Sequence, residues 1–222
     1  MIKTELKKRI ITSGILLPTV ILMIFYSQFI FIFLLFLILL FSFKEWFYLN
    51  KKKINITALL GYLFFIITVY FAYMLRGDEL NSKILFLWIV LTCIFSDIGG
   101  YIFGKTFGVK KITKISPNKT YAGMCGSFLF SLTPTLLSYL LNIKVFTYVN
   151  SKDEYLFYYL LLPLVLSLVC QLGDLIISYF KRINKFKDTG NILPGHGGLL
   201  DRIDGIIFVI FFSGILRIFG II

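Results

Sequence analysis

Between Ile10 and Phe43 the chain carries no Asp, Glu, Lys or Arg, a run of 34 uncharged residues. A helix rising 1.5 Å per residue crosses a hydrocarbon layer about 30 Å thick in roughly 20 residues, so the run is too long for one span and predicts two. The weakest point is Tyr26-Ser27-Gln28, where polar atoms and an interfacial tyrosine suit a tight hairpin, giving spans Ile10–Tyr26 and Phe29–Phe43. A basic start (Lys3, Lys7, Lys8, Arg9) ahead of the run resembles a signal peptide. No small-residue cleavage site comes after it, and the segment reads as an uncleaved anchor.

Five further apolar runs, Ile54–Leu75, Ile84–Phe103, Ala122–Asn142, Tyr155–Ile177 and Gly205–Ile222, bring the expectation to about seven transmembrane helices in an all-α bundle. With 58% of 222 residues hydrophobic, 25 of them Phe, a soluble monomer is excluded, because a core of this length cannot hide that much apolar surface. Of the Lys and Arg residues, 18 fall on the side of the N-terminus and residues 44–53, 105–119 and 181–204, and 5 on the other. The positive-inside rule therefore places the first set in the cytoplasm and explains the net charge of +12 without nucleic acid. Cys93, Cys125 and Cys170 lie in apolar stretches without C-x-x-C spacing and read as packing residues. The whole of 1–222 reads as a single membrane domain, with N-terminal spans to residue 96, the polar motifs in 97–204 and a last span in 205–222.

Ionisable residues inside spans are costly and mark function by default. Asp97 lies near the end of the fourth predicted span and Asp174 near the end of the sixth, where it shares a helix face with Ser178 and Lys181. The plainer alternative is an Asp–Lys pair that only holds the helix end. Beyond it, residues 178–204 gather Lys181, Arg182, Lys187, Arg202, Asp188, Asp201, Asp204, the lone His196 and the glycines 190, 195, 197 and 198. Asp201 and Asp204, three apart at a helix start, suit a hard divalent ion such as Mg²⁺, which takes one or two carboxylates plus phosphate oxygens. A helix cap is the competing account. Glycines whose amides can turn toward an anion, with four cations around them, suit phosphate. Gly100, Gly104 and Gly108 make a smooth strip for helix packing, and in 105–121 Ser116-Pro117-Asn118-Lys119-Thr120 offers hydroxyls, an amide and an ammonium to phosphates or a nucleotide.

The stretch Ser178 to Asp204 resembles the signature of the phosphatidate cytidylyltransferases (CDP-diacylglycerol synthases), S-x-x-K-R-x4-K-D-x-G-x3-P-x-H-G-G-x-x-D-R-x-D. Asp97-Ile-Gly-Gly-Tyr101-x-x-Gly104-x-x-x-Gly108 and Ser116-Pro117-Asn118-Lys119-Thr120-x-x-Gly123 look like the family's other two motifs, and Asp174 like its intramembrane metal-ligand aspartate. Two features depart from the pattern. The usual Gly-Lys-Thr-Trp-Glu reads Asn118-Lys119-Thr120-Tyr121-Ala122, so its Glu is absent, and the chain is short for the family at its N-terminal side.

The resemblance implies transfer of a cytidylyl group from CTP to phosphatidic acid, with CDP-diacylglycerol and pyrophosphate as products. It implies Mg²⁺ on Asp174, Asp201 and Asp204, and a catalytic set of Asp174, Lys187, Asp188, His196, Asp201, Arg202 and Asp204. Substrate contacts would come from Ser116, Lys119, Thr120, Ser178, Lys181, Arg182, Gly197 and Gly198. Such an enzyme is expected as a multi-pass protein of a bacterial inner membrane, its site cytoplasmic, its partners membrane lipids and not nucleic acid, with a homodimer left open. A CTP-dependent lipid or polyprenol kinase is the nearest rival. A transporter would need pathway charges on both sides of the midplane, whereas the polar motifs here gather on one.

Overall fold

The structure, a computed structural model, describes residues 18–108, 110–113, 116, 119–146, 157–190 and 197–222. Residues 18–25 are helical, and Ser27 breaks the run as its spacing predicts, its side chain accepting from Ile30 N at the start of α1 (Gln28–Leu49). The rest of the first predicted span lies outside the described residues. Helix α2 (Ile56–Arg76) is capped by Asn55, whose side chain accepts from Ala58 N. Next come α3 (Leu80–Phe107), α4 (Tyr121–Ser131), α5 (Thr133–Leu140), a π-helical turn Phe157–Leu161 running into α6 (Leu162–Ile183), and α7 (Leu200–Ile218). Among the described residues there is no strand, only one isolated antiparallel bridge, Lys111 with Thr120. The all-helical membrane fold expected from the sequence is what the chain adopts.

Four helices, Gln28–Leu49, Ile56–Arg76, Leu80–Phe107 and Phe157–Ile183, are long and apolar enough to cross a membrane. Seven is compatible with the bundle but not counted in it. The run 122–142 is split at Leu132, because Pro134 in the first turn of α5 lacks the N–H a continuous helix would need. In the last helix, Asp201, Arg202 and Asp204 sit in the first turns, since the helix begins at Leu200 and not at Gly205.

The loops sort to two ends of the bundle. At one end Trp46 Nε1 donates to Ala58 O at 3.1 Å, Lys181 Nζ meets Asp201 Oδ1 at 2.7 Å, and Lys119 Nζ donates to Gln171 O at 3.2 Å. At the other, the buried Arg76 donates through Nε to Ile24 O at 2.9 Å, and Tyr158 Oη bonds Ile221 O. Leucine, isoleucine and phenylalanine side chains stand exposed along the outer helices, Phe29, Ile56 and Leu59 among them. In water that surface would be a liability; in hydrocarbon it is where apolar side chains belong. The protein is an integral membrane protein.

Small residues let the helices that carry the polar motifs touch. A Cβ on Gly99 would stand 2.3 Å from Gly126 O, and one on Gly126 2.6 Å from Gly99 O, so α3 and α4 cross backbone to backbone. Gly100 and Gly104 pack against Gly123, Ser127 and Thr120, which makes the 100–108 glycines the packing strip they resemble in sequence. A hydroxyl pair, Ser96 Oγ to Ser167 Oγ at 2.7 Å, links α3 to α6 in the interior.

Candidate active site

Two close crossings set the geometry of α6 and α7. A Cβ on Gly205 would lie 2.5 Å from Cys170 Sγ, and one on Gly173 2.6 Å from the Phe208 ring. One residue from each contact are Asp204 and Asp174, whose carboxyls are near enough to interact across the crossing. Two carboxylates this close need a proton or a cation between them. Lys119 approaches from the segment before α4, its Nζ 2.6 Å from Asp174 Oδ2. Local pairing aims it: Ile112 N donates to Lys119 O at 2.9 Å and Tyr121 N to Lys110 O at 3.1 Å. Thr120 then caps α4 by accepting from Gly123 N.

Asp97, on α3, is near enough to interact electrostatically with Asp174 and Lys119, and Cys170 Sγ lies 3.8 Å from its Oδ1. Asp97 is exposed, while Asp174 and Lys119 are partly so, at 30% and 23% of their side chains. The cluster therefore opens at the side of the bundle between α3, α4 and α6, where a ligand can reach it.

Asp201 has a different set of partners. Its Oδ1 pairs with Lys181 at 2.7 Å, and its Oδ2 accepts from Thr189 N at 2.8 Å and Gly198 N at 3.1 Å, with Thr189 Oγ1 3.1 Å away. Reaching back to Gly198 N is the capping contact that the sequence offered as the alternative to a metal role. Lys181, expected on the face of Asp174, is thus bonded to Asp201, and Asp174 takes its lysine from residue 119. The glycine-rich turn likewise holds anions of the chain itself. Gly198 N donates to Asp201, while Leu199 N and Leu200 N donate to Glu45 at 2.7 and 2.9 Å.

Of the other residues singled out in the sequence, Lys187, Asp188, Arg182 and Arg202 are exposed around this end, Arg182 donating to Phe186 O. Ser178 and Ser116 are half-buried, and Ser116 O accepts from Lys119 N. Gly197 has φ +84°, a conformation glycine adopts freely, and sits against Asp201 Oδ2. His196, Pro194, Gly195, Pro117 and Asn118 lie outside the described residues.

Among the described residues no group of three or more His, Cys, Asp or Glu is arranged to hold a metal ion. What is present is a carboxyl pair, Asp174 and Asp204, with a third carboxyl nearby and an open side. That donor set suits an ion that takes one or two carboxylates and completes its shell with substrate oxygens and water. Sequence reasoning missed Glu45 and Thr189. The signal for Glu45 was one acid beside Trp46 in a stretch otherwise basic, Lys44 to Lys53.

A model of the cytidylyltransferase family matches residues 7–79 and 56–219. A phosphatidate cytidylyltransferase of Rickettsia bellii (strain RML369-C) is 34% identical over 209 residues, covering 92% of this chain and 87% of the relative. That of Rickettsia conorii (strain ATCC VR-613 / Malish 7) is 32% identical over 221 residues, covering 98% and 93%. A phosphatidate cytidylyltransferase of Staphylococcus saprophyticus subsp. saprophyticus is 40% identical over 149 residues, covering 67% of this chain and 53% of the relative. Both the match along nearly the whole chain and the polar cluster it spans lead to one conclusion: the chain belongs to the cytidylyltransferase family.

Proposed function

We propose that this chain is a phosphatidate cytidylyltransferase, joining CTP and phosphatidate to give CDP-diacylglycerol and pyrophosphate. The observation that carries the reading is the Asp174–Asp204 pair with Lys119 at its edge, opening sideways from a membrane bundle, in a chain similar over nine-tenths of its length to enzymes of that name. A lipid substrate has to meet a nucleotide where the bilayer ends, and a lateral opening among helices at the basic end of the bundle suits both. By the distribution of Lys and Arg that end faces the cytoplasm of a bacterial inner membrane. A homodimer would set one of the exposed apolar helix faces against its copy.

In the transfer, a phosphate oxygen of phosphatidate forms a bond to the α-phosphorus of CTP as the bond from that phosphorus to the bridging oxygen of the β-phosphate breaks, and pyrophosphate leaves with the electron pair. The phosphate monoester is already largely ionised near neutral pH, so no strong base is required. The demand is to bring two anions together in line and to neutralise the charge that builds on the departing oxygens. Asp174 and Asp204 are the residues that would hold Mg²⁺, which supplies that neutralisation when bound. Asp201 could join them only by releasing Lys181. Lys119, free to move from Asp174 once a cation replaces it there, is placed to take a phosphate oxygen. Lys187, Arg182 and Arg202 surround the same end as further phosphate contacts.

CTP labelled at the α-phosphate distinguishes this reaction from a kinase. Label moving from α-labelled CTP into chloroform-soluble lipid, with none from γ-labelled CTP, is the expected result. Transfer of the γ-label would assign the chain to lipid phosphorylation.

A further inference from the structure

Glu45 is the most deeply buried carboxylate among the described residues, 2% exposed against 9% for Asp204, and no described Lys, Arg or His pairs with it. A buried carboxylate without a cation persists only when hydrogen bonds replace its water. Among the described residues Glu45 receives three, all from one distant segment: Leu199 N to Oε1 at 2.7 Å, Leu200 N to Oε2 at 2.9 Å, and Thr189 Oγ1 to Oε2 at 2.7 Å. Thr189 gives its one hydroxyl proton to Glu45 and its backbone N–H to Asp201 Oδ2 at 2.8 Å, so it bridges Glu45 to the Asp201–Lys181 pair. Leu199 and Leu200 are where α7 begins, one turn before Asp204.

The anchor at the other end is firm. Trp46, next to Glu45, donates to Ala58 O, stacks edge-on with Phe65 at 5.8 Å and Phe180 at 5.2 Å, and rests on Gly61, where a Cβ would meet the indole at 2.1 Å. Two glycines of the turn are shaped to the carboxylate as well. A Cβ on Gly190 would stand 3.0 Å from Glu45 Oε1, and one on Gly198 2.6 Å from Oε2 and 2.0 Å from Thr189 Oγ1. The segment is therefore built around Glu45 and not only turned by its glycines.

We propose that Glu45 is a positioning residue for cytidylyl transfer: through Thr189 and the first amides of α7 it sets the height and rotation of the helix that presents Asp204 to Asp174. The inference rests on the reaction proposed above. Gln cannot substitute, because its NH₂ would face an N–H or hydroxyl donor and one of the three bonds must open. Asp keeps the charge but falls one methylene short.

The test uses the full chain in mixed lipid–detergent micelles, with melting and steady-state kinetics measured on wild type, Glu45→Gln, Glu45→Asp, Thr189→Val and, as a packing control in the same helix, Leu35→Ala. Positioning predicts that Glu45→Gln loses about tenfold or more in kcat with KM for CTP changed less than about threefold, the split expected when an interaction acts in the transition state. Glu45→Asp falls between Gln and wild type, and Thr189→Val loses a smaller factor in the same parameter. Leu35→Ala lowers the melting temperature, yet assayed below it keeps kcat within about twofold. The inference is overturned if Glu45→Gln holds kcat within twofold of wild type, or, should that variant not fold, if Thr189→Val does. It is equally overturned if Leu35→Ala loses as much kcat as the Glu45 variants. A folded wild type that forms no CDP-diacylglycerol overturns the assigned reaction and this inference together, a pattern distinct from active wild type with active variants.

Discussion

Replacing Lys119 by Met removes the one described cation in contact with the Asp174–Asp204 pair while keeping the length of the side chain. Breaking a fully buried ion pair costs about 3–5 kcal/mol, and an exposed one about 0–1 kcal/mol. With side chains 23% and 30% exposed, the Lys119–Asp174 pair belongs between these limits, at about 2 kcal/mol. For a chain of this size that is a fall in melting temperature of roughly 4–8 °C. The carboxyl pair, stripped of its lysine, becomes a better site for a divalent ion. Millimolar Mg²⁺ should therefore raise the melting temperature of Lys119→Met by more than it raises wild type, since a ligand bound only by the folded state adds stability that grows with the logarithm of its affinity. Turnover should fall by about 10²–10³, the usual loss when one donor to a developing phosphate charge is removed. Differential scanning fluorimetry with and without Mg²⁺, alongside the labelled-CTP assay, reads all three. A variant with wild-type turnover, or with an unchanged Mg²⁺ shift, would refute the claim that Lys119 alternates between Asp174 and substrate.

Three other substitutions separate roles at this end. Asp201→Asn leaves Lys181 buried and unpaired, so stability should drop by about 3 kcal/mol; adding Lys181→Met should recover part of the melting temperature and none of the turnover, and recovery of turnover would reduce the pair to scaffolding. Gly126→Ala should destabilise by about 1–3 kcal/mol through its clash with Gly99 O and Phe103, outweighing a helix-propensity gain of about 1 kcal/mol; a raised melting temperature would contradict the close crossing. With native cysteines replaced, Cys at Asn184 should resist an impermeant thiol reagent in intact cells and react in inverted vesicles. Labelling from outside would reverse the assigned orientation.

Much of this fold is legible because its signals are local. The absence of charge from Ile10 to Phe43, with Ser27 placed to cap α1, announces where one helix gives way to the next, and Gly100, Gly104 and Gly108 announce a close helix contact. Helix ends are harder to read. Lys44, Glu45 and Trp46 look like the start of a loop, yet they extend α1 because Glu45 finds its partners 144 to 155 residues away, at Thr189, Leu199 and Leu200. The break at Leu132 was present in the sequence as Pro134, masked by an apolar run long enough to suggest one unbroken span. At the site, the sequence names Asp174, Asp204 and Lys119 but not their pairing. Which lysine meets which aspartate is decided by how α6 and α7 cross at Gly205 and Cys170, and no periodicity along one helix carries that information.

The carboxyl pair on α6 and α7 is the centre of the account, and Asp174→Asn probes it with the least change of shape. Label from α-labelled CTP into lipid and the Mg²⁺-dependent rise in melting temperature are measured on the same preparation of wild type and variant. The account predicts that Asp174→Asn, inserted and folded, loses about a hundredfold or more of label transfer together with most of the Mg²⁺ shift. A variant that keeps the full Mg²⁺ shift and transfers label at the wild-type rate would contradict it and leave Asp174 as no more than the partner of Lys119.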